Sequence, residues 1–239
     1  MPHAAGTDTD APSADTVPQT GDAAPSQATL YRPLFLSNPR EREHPLEANF
    51  ADRWKDYLAR TGFEEMFFLI KLAAPDDRLS EEASRFLVET GMPDAAGLSF
   101  DDLTKGLRKV YDVYSPYDSN YWNDSDRERL ASYLILGSDM GGNPVCLDLA
   151  NQERVVLLDH ERHFEVSYFV NSGVSQLAEC ILVFQETVET YRLDKGEDAE
   201  LDEGNVPASL VQQALRDMGR SDPSAVGENC YWPAALDYL

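Results

Sequence analysis

The segment YLILGSDMGGNPVCLDLANQERVVLLDHE, residues 133–161, decides the fold because it contains three strand-like runs joined by short turns. Residues 133–136 are continuously apolar, whereas residues 144–149 alternate between the two sides of a strand. Residues 154–158 and 164–170 are further strand-like runs. Connections that are this short and rich in Gly, Asn and Asp are typical of antiparallel hairpins. The segment therefore predicts a meander of antiparallel strands.

The glycines of this segment also raise the possibility of a phosphate-binding loop. A Walker-type loop needs a Lys after its last glycine, but Gly142 is followed by Asn143 and Pro144. A dinucleotide-binding fingerprint needs a helix after the glycines, so that the helix N-terminus meets the pyrophosphate, whereas a strand is predicted here. Residues 139–143 instead supply the residue types that a tight turn with positive φ requires.

Helical patterns precede the strands. Apolar residues recur at helical spacing over residues 50–73, with Gly62 as a candidate break. Ser80 followed by two acids is a capping signal for a second helix, and Gly91 followed shortly by proline is a stop signal. Residues 111–133 are polar and aromatic, and we expect them to form a loop that leads into the first long strand.

Helical patterns also follow the strands. Asn171 and Ser172 are predicted to cap a helix whose apolar residues recur from Val174 to Val188. Pro207 is predicted to be the first residue of another helix. Helices, then strands, then helices predict an α+β fold: a single domain with a central, mostly antiparallel sheet packed by N- and C-terminal helices.

The first 30 residues differ from the rest of the chain in composition. They are rich in Ala, Pro and Thr, and they contain four Asp but neither Lys nor Arg. A segment of this kind buries too little apolar surface to offset its ordering entropy. Residues 1–30 are therefore predicted to be a disordered acidic tail, and the folded domain is predicted to span residues 31–239.

The charge of the chain restricts its function more than its fold. Asp and Glu outnumber Lys and Arg by 43 to 20, which gives a formal net charge of −23. Such a chain is repelled by nucleic acid and by anionic membranes, and it favours basic partners. No apolar run reaches the length of a membrane span, and the first residues carry no secretory signal pattern. Three widely spaced cysteines are typical of reduced thiols, so we expect a cytoplasmic protein.

Residues 159–163, DHERH, contain the residue types of a metal site. His160 and His163, with Asp159 and Glu161, could bring nitrogen and oxygen ligands together. Side chains three residues apart face each other on a helix, however, and this segment is predicted to be a strand end and a turn. A solvated turn is the favoured interpretation, and a metal-dependent hydrolase is the less favoured alternative.

Four motifs occur in an order that matches a known superfamily. They are FLVETGMP at residues 86–93, YLILGSDMGGNPVCLDL at 133–149, FVNSGVSQLAEC at 169–180, and DPSA at 222–225 with YWP at 231–233. Together they resemble the SUKH superfamily of Smi/Knr-type domains, and within it the fourth family of bacterial toxin-immunity proteins. The resemblance is clearest over residues 79–239. Gly173 and Tyr231 depart from the usual Ser and Trp.

The resemblance implies an immunity protein, not an enzyme, that binds and neutralises a cognate polymorphic toxin such as a nuclease or a nucleic-acid deaminase. A toxin that acts on nucleic acid needs a positive cleft for the phosphates. An inhibitor with a large negative charge would be steered to that cleft. The alternative role is an intracellular scaffold or regulator, which Smi/Knr-type domains take elsewhere.

Turns that combine acids with aromatic residues are the predicted toxin contacts, because interfaces often pair aromatic anchors with charge. The predicted contact residues are Asp118, Tyr121, Trp122, Asp124, Asp126, Asp139, Asp159, Glu161 and Glu165. No catalytic or metal-binding residue is assigned, and no cofactor is expected. Trp54 and Trp232 are predicted to lie in the core.

Overall fold

The computed structural model describes residues 50–65, 67–115, 122–196 and 205–239. These residues belong to one compact unit that spans residues 44–239. The predicted disordered tail over residues 1–30 and the predicted start of the domain at Tyr31 lie outside the described residues.

The described part of the chain contains both helices and strands. In chain order they are α1 (Phe50–Thr61), β1 (Leu69–Ile70), α2 (Glu81–Arg85), β2 (Met92–Pro93), β3 (Leu98–Phe100), β4 (Arg108–Lys109), α3 (Val110–Tyr114), α4 (Asp124–Leu130), β5 (Tyr133–Asp139), β6 (Pro144–Asp148), β7 (Arg154–Asp159), β8 (Glu165–Asn171), α5 (Val174–Lys195), α6 (Ala208–Ser221) and α7 (Tyr231–Asp237). A π-helical turn, Phe86–Thr90, continues α2, and a 3-10 turn, Pro223–Val226, follows α6.

The central sheet has six strands, and its strand pairs are antiparallel. The strand order is β3-β5-β6-β7-β8, and the short β4 also pairs with β5. β1 and β2 form a separate two-stranded antiparallel sheet. The predicted meander of strands and the α+β class with a mostly antiparallel sheet are therefore confirmed.

Both faces of the sheet are buried, because the alternation in β6 divides its side chains between two cores. Val145 and Leu147 belong to the main core, which also contains Trp54 of α1 and Trp232 of α7. Cys146 points to the other side and belongs to a second core, which α3 and α4 cover. The predicted burial of Trp54 and Trp232 is confirmed, with exposures of 1% and 0%.

The helix predicted over residues 50–73 is shorter than expected. α1 ends at Thr61, and Gly62 follows with a φ of +72°, a left-handed conformation that ends helices and that glycine adopts without strain. The amide of Phe63 donates to the carbonyl of Leu58 over 3.2 Å, which closes the helix end. The prediction is wrong beyond Gly62, because that segment is partly irregular and partly strand β1.

The loop predicted over residues 111–133 contains helical structure in its described part. α3 overlaps its start, and α4 occupies residues 124–130. A capping box begins α4: the side chain of Asn123 accepts from the Asp126 amide over 3.0 Å, and the Asp126 carboxylate accepts from the Asn123 amide over 3.2 Å. The polar residues that suggested a loop lie largely on the exposed face of α4.

Asn171 and Ser172 do not cap α5, contrary to the prediction. Gly173 is the N-cap residue, and no side-chain hydrogen bond caps this helix. Asn171 and Ser172 instead bind the carboxylate of Asp222. The side-chain amide of Asn171 donates to Asp222 over 3.0 Å, and the backbone amide of Ser172 donates over 2.6 Å. The corner between β8 and α5 is thereby attached to the C-terminal part of the chain.

Other helix signals behave as predicted. The Ser80 side chain caps α2 by accepting from the amide of Ala83 over 3.2 Å. Gly91 ends the following π turn with a φ of +88°. Pro207 differs slightly from the prediction, because it is the N-cap of α6 and not its first helical residue.

α5 is the longest helix that the structure describes, with 22 residues. Leu177 and Ile181 are fully buried on its inner face. Glu179 forms an ion pair with Arg53 of α1 at 2.7 Å, and this contact joins α1 to α5. No helix in the described part of the chain is both long and apolar enough to cross a membrane.

Candidate functional site

The structure brings four of the predicted contact acids to one end of the central sheet. Asp139 ends β5, Asp159 ends β7 and Glu165 begins β8, with Glu161 in the β7–β8 turn. Because β5 to β8 are antiparallel and follow one another in the sheet, the β5–β6 and β7–β8 turns lie at the same end. We call these four residues the hairpin-end acids.

A hydrogen-bonded side chain joins the two turns. Oδ1 of Asn143 accepts from the backbone amide of His160 over 3.2 Å, and Nδ1 of His160 lies 2.8 Å from the same oxygen. The second contact is a hydrogen bond when Nδ1 carries a proton. The side-chain amide of Asn143 donates to Oδ2 of Asp139 over 3.0 Å. The β5–β6 and β7–β8 turns therefore form one connected surface.

α4 places further predicted contact residues beside the β7–β8 turn. The guanidinium of Arg129 donates to the carbonyl of Phe164 over 2.9 Å, which holds α4 against this turn. The ring centroids of Trp122 and Phe164 are 5.2 Å apart. Trp122, a predicted toxin contact, is half-buried by this packing, so only part of its ring is available to a partner. Asp124 and Asp126 lie in the first turn of α4.

Three of the predicted contact acids build local structure with their side chains. Oδ1 of Asp139 accepts from the amide of Asn143 over 2.8 Å. Oδ1 of Asp159 accepts from the amide of Glu161 over 2.9 Å. Asp126 belongs to the capping box of α4. Replacing any of these three would disturb a turn or a helix end as well as remove a charge.

The charged form of Asp126 is favoured by its hydrogen bonds. Desolvation raises its pKa, but the backbone amide of Asn123 and the guanidinium of Arg129 lower it more, so the pKa lies below its ordinary value. The carboxylate therefore remains ionised at neutral pH, where it serves the helix start.

The remaining described acids are better placed to meet a partner. Asp124, Glu161 and Glu165 are exposed. Glu165 lies 3.3 Å from Arg162, an exposed ion pair that contributes little to stability. Arg129 and Arg162 stand among these acids, so the local excess of negative charge is smaller than the charge of the whole chain suggests. Asp118 and Tyr121, also predicted contacts, lie outside the described residues.

The histidines of the DHERH segment take part in the structure of the β7–β8 turn. Nδ1 of His160 faces Asn143, and His163 has a φ of +53° within the β7–β8 turn. Within residues 50–65, 67–115, 122–196 and 205–239, no group of three or more His, Cys, Asp or Glu is placed to hold a metal ion.

A groove next to the β5–β6 turn was not predicted. Residues 94–99, Met140 of the turn, and Phe184 and Val188 of α5 contribute to its lining, and its volume is about 560 Å³. The lining comes from several separate segments, so no local pattern announces it. Only the position of Met140, a large apolar residue between turn-forming residues, could have drawn attention to this part of the surface. Met140 is 92% exposed.

The match to a family model shows that this chain is a domain of the SUKH superfamily. The family model described as SUKH-4 immunity protein matches residues 57–238. The chain therefore belongs to the SUKH-4 immunity protein family. No curated protein and no solved structure matches the chain at a significant level.

The family match extends the resemblance seen in the sequence. That resemblance was clearest from residue 79, whereas the match begins at residue 57, inside α1. The matched range includes the hairpin-end acids, α4 and the groove beside the β5–β6 turn. Membership of an immunity family supports a role in toxin immunity, a toxin as partner and a function other than catalysis.

Proposed function

We propose that this protein neutralises a cognate toxin by stoichiometric binding, and that the toxin acts on nucleic acid through a basic cleft. The match of residues 57–238 to an immunity family is the observation that carries this proposal. The net charge of −23 supports the choice of a basic cleft. Clefts that bind phosphate backbones are rich in Lys and Arg, and an acidic domain can occupy such a cleft without any chemical step.

The net charge acts mainly on the rate of association. The Debye length is about 8 Å at physiological ionic strength, so acids far from the contact steer the encounter but add little to the bound state. Acids at the contact itself also slow dissociation when they pair with cations and lose water. The complex should therefore form faster at low salt than at high salt.

The face that we propose for contact consists of the β5–β6 and β7–β8 turns and the start of α4, which packs beside them. We call it the hairpin-end surface. Asp124, Glu161 and Glu165 are exposed there. The link between Asn143 and His160 holds the two turns in one arrangement. A surface that is ordered before binding loses less conformational entropy when the partner docks. This face therefore combines charge with preorganisation.

Co-expression with the toxin encoded by the neighbouring reading frame tests the proposal. The host should survive only when this protein is produced with the toxin. Purified together, the two should elute as one complex from a sizing column, with a stoichiometry that reaches a fixed ratio on titration. Failure to protect the host would contradict the immunity function and favour the scaffold alternative, and turnover of a substrate by the purified chain would contradict a binding-only mechanism.

Amide substitutions test the proposed face. The variant Asp124→Asn, Glu161→Gln, Glu165→Gln removes three exposed charges without touching the acids that build turns. The matched control Asp56→Asn, Glu228→Gln, Asp237→Asn removes three exposed charges elsewhere. At low salt we expect the association rate of the first variant to fall by about tenfold and that of the control to fall by less. Equal rates for the two variants would place the contact on another face.

A further inference from the structure

The groove beside the β5–β6 turn has the walls of a site for a large apolar side chain. On one side the rings of Phe63 and Phe67 meet edge to face, with centroids 5.5 Å apart. Phe184 and Val188, which lie one turn apart on α5, also line the groove. The volume of about 560 Å³ falls within the range of pockets that hold small ligands or side chains. We call this feature the α5 groove.

Met140 is an exposed apolar residue at the edge of the α5 groove. Its side chain is 92% exposed, the highest value among the large hydrophobic residues that the structure describes as exposed. Phe68, which follows the groove residue Phe67, is 61% exposed. A methionine side chain is flexible and polarisable and adapts to partners of different shape. Apolar exposure gathered beside a groove indicates a binding surface more than an isolated exposed residue does.

The charged groups that line the α5 groove are unevenly distributed. Asp94 and Asp139 lie in the lining with Arg192. Arg192 is two helical turns beyond Phe184, about 12 Å along the α5 axis. At that distance its charge is largely screened in physiological salt. With two acids and one Arg, the lining carries a net negative formal charge.

Asp139 lies beside the groove residues 94–99, because its Cα pairs with that of Leu98 across β3 and β5. The hydroxyl of Tyr231 donates to the carbonyl of Ala96 in the same segment over 3.5 Å. The ring of Tyr231 packs 5.1 Å from Trp232, and Trp232 lies 6.1 Å from Phe184, measured between ring centroids. Burial raises the pKa of Tyr231 to about 12, and the nearby carboxylate of Asp139 contributes to the same shift. An apolar cavity and a negative charge thus stand side by side.

The α5 groove is continuous with the hairpin-end surface. Asp139 belongs to both, because it lines the groove and is one of the hairpin-end acids. Its carboxylate binds Asn143, and Asn143 binds His160 in the next turn. A single partner can therefore contact the groove and the exposed acids at once.

We propose that the α5 groove is the anchor site of the toxin interface: the toxin inserts one large apolar side chain between the aromatic wall and α5, and directs an adjacent Lys or Arg to Asp94 and Asp139. This inference rests on the proposed function. A second copy of this chain fits less well, because each copy carries a net charge of −23 and the two acidic surfaces would repel each other. A basic partner gains from the same charge.

Truncation of the Met140 side chain tests the proposed anchor site. Met140→Ser removes the apolar side chain, and Tyr238→Ser is the matched control, because Tyr238 is also exposed, at 70%, and does not line the groove. The probe is the purified toxin domain from the neighbouring reading frame, titrated by calorimetry. We expect Met140→Ser to raise the dissociation constant by about tenfold, a loss that only a minority of interface residues cause when truncated. Tyr238→Ser should change the dissociation constant by less than about twofold.

Filling the groove is an independent test. Ser99 is exposed at the groove, so Ser99→Arg adds both bulk and a positive charge. Gln212→Arg on the exposed side of α6 adds the same charge outside the groove. We expect only Ser99→Arg to weaken toxin binding, by about tenfold or more. Thermal unfolding of each variant establishes that it is folded, and Met140→Ser decides the question if Ser99→Arg does not fold.

The outcomes separate this inference from the proposed function. Weaker binding by the two groove variants, with unchanged controls, supports the anchor site. If the unsubstituted protein binds the toxin and both groove variants bind equally well, the anchor site is wrong while the immunity function stands. If the unsubstituted protein does not bind the toxin, the proposed function and the anchor site are both overturned.

Discussion

The indole Nε1 of Trp232 donates a hydrogen bond to Oδ1 of Asn171 over 2.9 Å, and both side chains are fully buried. The side-chain amide of Asn171 in turn donates to the carboxylate of Asp222, itself 1% exposed. Three sequence motifs, FVNS, DPSA and YWP, therefore meet in one buried network. The network explains physically why these residues occur together in one chain: each satisfies a buried polar group of another.

The hydrogen bond from Trp232 is the first target for a stability measurement. Trp232→Phe keeps an aromatic ring but leaves Oδ1 of Asn171 without this donor in a buried site, at a cost of about 1–3 kcal/mol beyond the loss of ring volume. Trp54→Phe is the matched control, since Nε1 of Trp54 is buried and no residue in the described part of the chain accepts a hydrogen bond from it. Denaturant unfolding should show the larger loss for Trp232→Phe. Equal losses would mean that the hydrogen bond contributes nothing.

The carboxylate of Asp222 is the centre of the same network. It accepts from the Asn171 side chain, from the amide and hydroxyl of Ser172 at 2.6 and 2.9 Å, and from the amide of Ser224 at 3.2 Å. Asp222→Asn replaces one acceptor oxygen by an NH2 group, which is itself a donor and faces the donors that the carboxylate bound. We expect the free energy of unfolding to fall by about 2–4 kcal/mol.

Asp217→Asn on α6 is the control for this substitution. Its carboxylate binds Gln213 and Arg220 near the surface, so its replacement should cost no more than about 0.5 kcal/mol. Chemical denaturation of the two variants and the unsubstituted protein checks both values. A similar small loss at both positions would show that the buried network is not a stabilising unit.

The hairpins were predictable from the sequence because their information is local. Asp139, Asn143 and Gly142 specify one turn within five residues, and Gly142 has the positive φ, +84°, that such a turn needs. The network of Asn171 and Trp232 was not predictable in this way, because the two residues are 61 positions apart. In the local sequence, Asn171 precedes a helix and has the residue type of an N-cap. Only the tertiary fold brings Asp222 close enough to accept its hydrogen bond.

The candidate site likewise has a part that local sequence predicts and a part that only the tertiary fold determines. The local turn pattern in the sequence is enough to predict that Asp159 and Glu161 lie at a strand end and in a turn. The half-burial of Trp122 depends on how α4 docks on Phe164, and the α5 groove depends on segments that meet only in the folded chain. Spacing and composition carry no information about either, so these features required the structure.

Close approach of two strands makes Gly137 a specific requirement. A Cβ atom at this position would lie 2.1 Å from the carbonyl oxygen of Ser99 and 2.6 Å from Cα of Phe100. Gly137→Ala should therefore push β3 away from β5 and cost about 1–3 kcal/mol. Gly141→Ala in the turn is the control, because its nearest neighbour, Oδ1 of Asp139, would be 3.3 Å away. Thermal unfolding should rank Gly137→Ala as clearly the less stable variant. The reverse order would contradict this packing.

Thiol reactivity should distinguish the three cysteines. Burial raises the pKa of Cys146 well above its ordinary value and that of Cys180 to about 12, whereas Cys230 is only half-buried. Thiolates are the reactive form, so a chromogenic disulfide reagent should modify Cys230 in the folded protein and the other two only on unfolding. Cys230→Ser should abolish the reaction of the folded protein. Rapid reaction of two or more thiols without denaturant would show that the cores open easily.

The ion pair between Arg53 and Glu179 leads to a prediction about pH. Nη1 of Arg53 lies 2.7 Å from Oε2 of Glu179, which is 3% exposed. Burial raises the pKa of Glu179, and the opposing effect of Arg53 does not fully offset it. Between the ordinary pKa of a glutamate, about 4.3, and this raised value, the folded state binds more protons than the unfolded state. The contribution of Glu179 to stability therefore decreases as pH rises through that interval.

Two variants check the sign of this dependence. Glu179→Gln removes the titration, so the stability of the unsubstituted protein relative to this variant should decrease as pH rises through the interval and become constant above it. Arg53→Met removes the compensating cation, so the pKa of Glu179 should rise further and the decrease should extend to higher pH. Denaturant unfolding from about pH 4 to pH 8 measures both differences. A relative stability that increases over this interval would mean that attraction by Arg53 outweighs the burial of the carboxylate.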